Sequence, residues 1–346
     1  MIGVKQVSFQ EMQSWDEYVE KHPHATPYHL MAWGQAVERS YGHKGVYLVA
    51  HEGQNIVGVL PLINMSVPLL GARPCSLPFC DLGGVLADTD QARDSLLEHA
   101  RGWLDSHGVK QVELRHSQQD VVGELEQGIK VRMLLKLESS AEEQFKQFKS
   151  KLRSQVRKAE KNGVVFFEGK TTAHRQEFYR VMQINMHQLG SPVHSRAWFD
   201  AVLDSYGTRA RLGMVEFQGQ VVGGAIILLC GGVVTVPWAS TLPEFNHLSP
   251  NMLLYWGLLS MAAEGGYAKF DFGRSTVGEG TFKFKKQWGA EPVPLQWQVL
   301  TKDVLESADA GGAGGGMRDK VAEAWRRMPA PLVNFLGPIL RRYISL

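Results

Sequence analysis

The sequence contains few cysteines, little net charge and no long charged tract that would dominate its behaviour. The three cysteines, Cys75, Cys80 and Cys230, are too few and too unevenly spaced for a disulfide framework or a zinc site. We therefore expect reduced, buried thiols. The formal net charge of +2 excludes functions that need a strongly basic chain, so any basic function must come from local clusters.

Common catalytic and ligand-binding motifs are also absent from the sequence. It has no P-loop, no GxGxxG run that opens a helix, no GxSxG nucleophile turn and no HExxH pair. His22 and His24 lie close together, but Pro23 separates them and no acidic or cysteine ligands accompany them. We expect no metal site and no permanently bound cofactor, and instead a reaction promoted by the positioning of substrates.

The N-terminal residues MIGVKQVSFQEMQSW lack the basic and apolar regions of a signal peptide, which predicts a cytoplasmic protein. Residues 221–241 carry no charge and are long enough to cross a bilayer. Gly231 and Gly232 interrupt this stretch between two β-branched, apolar runs, so we interpret it as a buried hairpin of two strands.

An internal repeat is the most informative feature. Residues 27–42, PYHLMAWGQAVERSYG, and residues 192–207, PVHSRAWFDAVLDSYG, are identical at nine of sixteen positions at an offset of 165. Weaker similarity follows between LVAHEGQNIVGVLPL and MVEFQGQVVGGAIIL, and between GVKQVELRHS and GYAKFDFGRS. A period this long indicates a duplicated domain and not a solenoid.

Each copy alternates helices and strands in the same order, which predicts an α/β fold with a mixed sheet. We expect an N-terminal domain over residues 1–150 and a C-terminal domain over residues 151–302. A Gly-rich linker over residues 303–316 and a basic tail over residues 317–346 follow. Apolar residues recur at helical spacing in the tail, which fits either a helix on an anionic membrane or a helix docked on the protein.

Two basic segments are candidates for ligand binding. In KSKLRSQVRKAEKNGV (149–164), Arg153, Arg157 and Lys161 lie at i, i+4 and i+8 of a helix, where they form one positive stripe or simply a solvated face. In FDFGRSTVGEGTFKFKKQWGAEPVPL (270–295), a buried strand ends in a Gly-rich basic turn. Such turns commonly bind ligands in α/β folds, although a purely structural turn also fits. The candidate residues of this turn are Asp271, Arg274, Ser275, Gly278, Gly280, Lys283 and Lys285.

This segment, together with SPNMLLYWGLLSMAAEGGY (249–267), QLGSPVHSRAW (188–198) and SKLRSQVRKAEKNGV (150–164), resembles FemAB-like proteins. The similarity is greatest to FemAB-related proteins associated with exosortase and exopolysaccharide gene clusters. The resemblance extends over roughly residues 5–300. The resemblance implies two tandem GNAT-like acyltransferase domains, in agreement with the duplication.

The resemblance also implies the reaction, which is transfer of an aminoacyl or acyl group to an amine of a cell-envelope or exopolysaccharide precursor. The donor would be aminoacyl-tRNA or acyl-CoA. Phe284-Lys285 matches the family's Phe-Lys motif, so Lys285 would bind the phosphate or the developing negative charge, with Arg153 and Arg157 beside the donor phosphates. Asp271 would accept a proton, or would be a structural carboxylate paired with Arg274.

Two other functions remain open at this point. One is an acyl-CoA N-acyltransferase that acts on an aminosugar. The other is a non-catalytic module that binds a lipid-linked glycan at the membrane through the basic tail. The N-terminal copy has Glu113-Leu-Arg115-His116-Ser where the C-terminal copy has Asp271-Phe-Gly273-Arg274-Ser, and it lacks the Gly- and Lys-rich turn. We therefore expect one donor site, in the second half.

Overall fold

The computed structural model describes residues 1–68, 71–117, 125–308 and 315–346. The chain forms two compact units that interleave along the sequence. The first comprises residues 1–131, 293–313 and 343–346, and the second comprises residues 132–292 and 314–342. The domain limits expected from the sequence, 1–150 and 151–302, stay predictions.

The first unit contains three helices on a mixed sheet. With strands and helices numbered in chain order, its helices are α1 (Met12–Lys21), α2 (Met31–Tyr41) and α3 (Asp90–Ser106). Its strands are β1 (Ile2–Val7), β2 (Lys44–Glu52), β3 (Asn55–Val67), β4 (Gly71–Cys75), β5 (Leu86–Ala87), β6 (Gln111–Ser117), β13 (Glu291–Thr301, from Val293 on) and β14 (Leu305–Ala308).

The sheet of the first unit has the order β1-β2-β3-β4-β6-β13-β14, and β5 pairs with β3. Strand β4 joins β6 in parallel, whereas β13 runs antiparallel to β6. Helix α3 covers one face of this sheet because its apolar side chains, such as Leu96 and Ala100, recur at helical spacing. They pack on Leu48, Leu60 and Leu114 in one buried cluster.

The second unit is built in the same way. Its strands are β7 (Lys130–Lys136, from Arg132 on), β8 (Val164–Glu168), β9 (Ala210–Phe217), β10 (Gln220–Cys230), β11 (Val233–Thr241) and β12 (Lys269–Thr276). Its helices are α4 (Ala141–Gln147), α5 (Ser150–Lys161), α6 (Thr172–Leu189), α7 (Arg196–Tyr206), α8 (Pro250–Glu264), α9 (Gly280–Gln287), α10 (Gly315–Arg327) and α11 (Ala330–Arg341).

The second sheet has the order β8-β9-β10-β11-β12-β7. Strands β10 and β11 form an antiparallel hairpin around Gly231 and Gly232, which confirms the interpretation of residues 221–241. In the described ranges, no helix is long and apolar enough to span a membrane. Strand β12 adds to β11 in parallel, so α8 forms the crossover between them.

The predicted duplication is confirmed element by element. From β1 to β6 and from β8 to β12 the order is a strand, two helices, a hairpin with a further strand, a helix and a strand, and the first copy has the short β5 in addition. Helices α2 and α7 begin and end 165 residues apart, at Met31 and Arg196 and at Tyr41 and Tyr206. Their shared Trp33 and Trp198 are wholly buried. The repeat therefore preserves core packing.

The cysteines behave as expected from their sparse distribution. Cys75, Cys80 and Cys230 are free and buried. Burial raises the pKa of Cys75 to about 12, so this thiol is not ionised at neutral pH. Among the described residues, no cluster of His, Cys, Asp and Glu could hold a metal ion.

Candidate functional site

The candidate site lies where β12 ends and α9 begins. Strand β12 is buried at Phe270, Asp271 and Phe272. Helix α8, which precedes the strand, is apolar on nearly all sides. Gly273 then adopts a left-handed conformation, with φ of 74°. A side chain here would be strained, and its Cβ would approach the carbonyl oxygen of Val236 to 3.2 Å. Glycine thus allows the strand to bend at this point.

Lys285 holds the bent end of the strand. Phe282 and Lys285 are the buried residues of α9, three positions apart on one face of the helix. The Nζ of Lys285 donates to the carbonyl oxygen of Arg274 at 2.7 Å and to that of Gly273 at 3.2 Å. Since the side chain is only 8% exposed, its positive charge is fixed at the end of β12.

Asp271 is part of a buried ion pair. One carboxylate oxygen, Oδ2, accepts from Nη2 and Nε of Arg132 at 2.8 and 3.1 Å. The other, Oδ1, accepts from the backbone N–H of Gly273 at 2.9 Å. We expected a structural Asp271 to pair with Arg274. In the structure Asp271 instead forms its ion pair with Arg132, which lies on the neighbouring strand β7.

Sequence reasoning did not select Arg132 as a functional or structural residue. It lies 139 residues from Asp271 in the chain, in the otherwise apolar run VRMLL of β7. An arginine within an apolar strand needs a buried counter-charge, because an unpaired charge in the core is costly. The charge of Arg132 within an apolar strand was the only sequence feature that indicated a buried ion pair. The sequence does not specify which residue is the partner.

The remaining turn residues lie on the same short segment. Ser275 is buried, and its Oγ has no hydrogen-bond partner within the described ranges. Gly278 has a φ of 93°, and Gly280 is the first residue of α9. Arg274 is half-buried and Lys283 is exposed. The turn therefore places a hydroxyl, two glycines and basic side chains next to Lys285.

Arg153 and Arg157 lie on another element, α5. The buried side of this helix consists of Leu152, Val156 and Ala159, and the helix packs against α8. Arg153 is half-buried, and the guanidinium of the exposed Arg157 lies over the ring of Phe145 at 5.5 Å. Helix α4 precedes α5 and is separated from it by residues 148 and 149. A donor-binding role for these arginines stays a prediction.

The end of β6 in the first unit corresponds to the end of β12 but carries different residues. Arg115 is fully buried, and its Nη2 donates to Glu113 at 2.7 Å. Its Nη1 donates to the carbonyl oxygens of Cys80 and Leu77 at 2.7 and 3.1 Å, and its guanidinium lies 4.5 Å above the ring of Trp297. An arginine side chain therefore fills the place that glycine has in β12.

A comparison with protein families agrees with the α/β fold described above. Residues 146–286 match a family model described as an acetyltransferase (GNAT) domain. A search of curated proteins found no match. This segment of the chain is therefore similar to GNAT acetyltransferase domains, and GNAT domains use acyl-CoA as donor.

Solved structures extend the similarity over most of the chain. FemX matches with a TM-score of 0.68 at 16% identity, over 84% of this chain and 95% of its own. A tandem GNAT protein from the clavulanic acid biosynthesis pathway matches with a TM-score of 0.53 at 10% identity, over 91% of this chain and 100% of its own. L-PGS from Bacillus licheniformis matches with a TM-score of 0.54 at 12% identity, over 94% of this chain and 99% of its own. The fold is that of two tandem GNAT domains, as the sequence predicted.

Proposed function

We propose that the protein transfers an acyl or aminoacyl group to an amine of a cell-envelope or exopolysaccharide precursor. The acceptor nitrogen attacks the carbonyl carbon of an activated ester or thioester, so a C–N bond forms and the C–O or C–S bond to the carrier breaks. The tandem GNAT fold, shared with FemX and with L-PGS, supports this proposal over a single-domain acetyltransferase. The FemAB-like and exosortase-associated sequence motifs support the envelope acceptor.

The main observation in support of this proposal is the buried ammonium of Lys285. Its Nζ is bound to the carbonyl oxygens of Gly273 and Arg274 and is fixed by the packing of α9. A preorganised positive charge with little exposure to water stabilises negative charge that develops on a carbonyl oxygen more strongly than a solvated lysine would. We assign Lys285 to this charge or to the donor phosphate, and Arg274, Ser275, Gly278, Gly280 and Lys283 to donor binding.

Asp271 has a positioning role in this proposal. Its two oxygens already accept three hydrogen bonds, from Arg132 and from the N–H of Gly273. Both oxygens of this carboxylate are therefore engaged by donors of the chain itself. We therefore assign the proton of the attacking amine to a bound water, and we assign Asp271 to holding Gly273 in the bend that Lys285 binds.

Helix α11 supports a peripheral membrane contact. Val333 and Gly337 form its buried face, where a Cβ at Gly337 would meet the backbone N of Val193 at 3.3 Å. Leu332, Phe335 and Ile339 recur at i, i+3 and i+7 and are exposed, with Phe335 68% exposed. Exposed Arg326 and Arg327 precede this face. We propose that the exposed apolar face enters an anionic lipid surface while the other face stays docked.

The identity of the donor is tested by calorimetric titration of the purified protein with acetyl-CoA, charged tRNA and uncharged tRNA. Saturable binding of acetyl-CoA would make this an acyl-CoA enzyme. Binding of charged tRNA alone, with affinity that falls steeply with salt, would support aminoacyl transfer. If none of the three binds, both donors proposed here are wrong.

Replacement of Lys285 by Ala tests the site itself. Loss of one preorganised charge at the reacting oxygen should lower turnover by about 10²-fold or more. Lys286→Ala is the matched control, because the next residue of α9 is an exposed lysine. Turnover is measured as amide formation on glucosamine and on a lysine-containing peptidoglycan precursor. Near-normal turnover in folded Lys285→Ala would remove Lys285 from the mechanism.

A further inference from the structure

One face of the first sheet changes from apolar to polar along its length. Strands β6 and β13 are antiparallel, with Val112 opposite Leu300, Leu114 opposite Gln298 and His116 opposite Gln296. Side chains two residues apart lie on the same face of a strand. The face is therefore apolar at Val112, Leu114 and Leu300, which pack under α3, and polar beyond them.

Helix α3 borders the polar end of this face. Arg93, Leu97 and Arg101 lie at i, i+4 and i+8, which places them on one side of the helix. The space between this side and the two strands is a cavity of about 610 Å³. Its polar lining includes Arg93, Arg101, His116, Gln296 and Gln298. All of these residues belong to the first unit.

One hydrogen bond of His116 fixes which of its ring nitrogens carries the proton. The backbone N–H of Val85 donates to Nε2 at 2.9 Å, so Nε2 is an acceptor and Nδ1 carries the hydrogen of the neutral ring. Burial, and secondarily the charge of Arg93, lowers the pKa of His116 to about 4. Gly84 keeps this contact open, since a Cβ there would meet Nε2 at 2.2 Å.

Two N–H donors at the cavity are buried and have no acceptor among the residues that the structure describes. They are Nδ1 of His116 and Nε of Arg101. The Nη1 of Arg101 donates to Glu98 at 3.2 Å, which does not satisfy Nε. Asp94 also borders the cavity, and the guanidinium of Arg93 is paired both with its carboxylate at 3.0 Å and with that of Asp90 at 2.8 Å. Buried donors normally have acceptors, so the arrangement indicates a ligand that supplies them.

We propose that this cavity binds a small hydroxyl-bearing anion through a phosphate or carboxylate group. The anionic oxygens accept from the Nε–H of Arg101 and the Nδ1–H of His116, next to the guanidinium of Arg93. Gln296 and Gln298 each offer both a donor and an acceptor, which suits the hydroxyl groups of a sugar. This site is separate from the transfer site on β12 and does not depend on the proposed reaction.

Calorimetry of the full-length protein with four probes tests the proposal. Inorganic phosphate and glucose 6-phosphate represent the phosphate source, glucuronate represents the carboxylate source, and glucose is the uncharged control. We expect saturable binding of the phosphates or of glucuronate, and none of glucose at equal concentration. The anion that binds identifies the source. If no anionic probe binds, or if glucose binds equally well, the proposal is wrong.

Variants and spectroscopy connect the binding to the cavity. Arg101→Gln should weaken binding roughly tenfold or more, the effect of losing a charged hydrogen bond. Arg73→Gln, at an exposed arginine of β4 outside the cavity, should leave binding unchanged. The ligand should also shift the Nδ1–H resonance of His116 in the labelled wild-type protein. An unshifted resonance, or equal binding by both variants, would overturn the assignment even if Arg101→Gln is less stable.

Discussion

Removal of the carboxylate of Asp271 would leave the guanidinium of Arg132 buried without a counter-charge. Both side chains are nearly inaccessible to solvent, so water cannot replace the lost partner. We expect Asp271→Ala to lower the free energy of unfolding by about 3–5 kcal/mol. The measurement is urea denaturation at pH 7, with the midpoint and slope compared to wild type.

A double variant distinguishes the ion pair from the packing around it. Asp271→Leu with Arg132→Leu replaces both charges by apolar groups, and it should recover part of the loss seen in Asp271→Ala. If the double variant is less stable than Asp271→Ala, the charges are not the dominant contribution at this site.

Buried histidines make stability depend on pH. Burial lowers the pKa of His29 to about 3 and that of His116 to about 4, and it lowers the pKa of His194 well below its ordinary value. The unfolded chain binds protons at these positions near pH 6.5 and the folded protein does not. Their contribution is therefore complete above about pH 6.5 and is lost as the pH falls toward the folded pKa values.

As the pH falls from roughly 6 to 5, each such histidine should lower the free energy of unfolding by about 1.4 kcal/mol per pH unit. Thermal unfolding at half-unit pH intervals measures this slope. His29→Gln keeps a side-chain acceptor for the N–H of Thr26 but cannot titrate, so its slope should be smaller by one proton. An unchanged slope would mean that His29 is protonated in the folded protein.

At the scale of elements, helix α11 has one face that is docked on the protein and one apolar face that is exposed. Phe335→Glu places a charge on the exposed apolar face. It should weaken binding to phosphatidylglycerol vesicles by roughly tenfold or more, since an aromatic ring that would enter the lipid is replaced by an anion. Ile184→Glu, at an exposed apolar residue of α6, is the matched control and should have little effect. Vesicle co-sedimentation measures both. Equal binding by the two variants would exclude α11 as the contact.

The elements also show what the sequence could and could not predict. The repeat at Trp33 and Trp198 predicted two similar α/β units because identical core residues require similar packing. The alternation around Gly231 and Gly232 predicted the hairpin of β10 and β11. Periodicity did not reveal the break between α4 and α5, where Phe148 leaves the helical conformation. The pairing of Arg132 with Asp271 joins distant segments, and no local pattern specifies such a contact.

At the scale of the whole molecule, β13 belongs to the first unit although it follows β12 in the chain. Its Trp297 is buried, donates from Nε1 to the carbonyl oxygen of Asp81 at 3.0 Å and supports the guanidinium of Arg115. Trp297→Ala should therefore destabilise the first unit by about 3–5 kcal/mol.

Hydrogen exchange locates the effect of Trp297→Ala. Amides of β6 should lose protection because β6 pairs directly with β13, whereas amides of β9 and β10 should be little affected. A loss of protection confined to the second unit would contradict the assignment of β13 to the first.

The position of β13 in the chain also sets the order in which the two sheets become complete during translation. All strands of the second sheet, from β7 to β12, are synthesised before β13 emerges from the ribosome. Until then the edge of β6 lacks its antiparallel neighbour, and an unpaired edge strand is a site of misassociation. Domains usually fold in the order in which they are made. Here the sheet that is started first is finished last, so the edge of β6 stays open to misassociation while the strands of the second sheet are made.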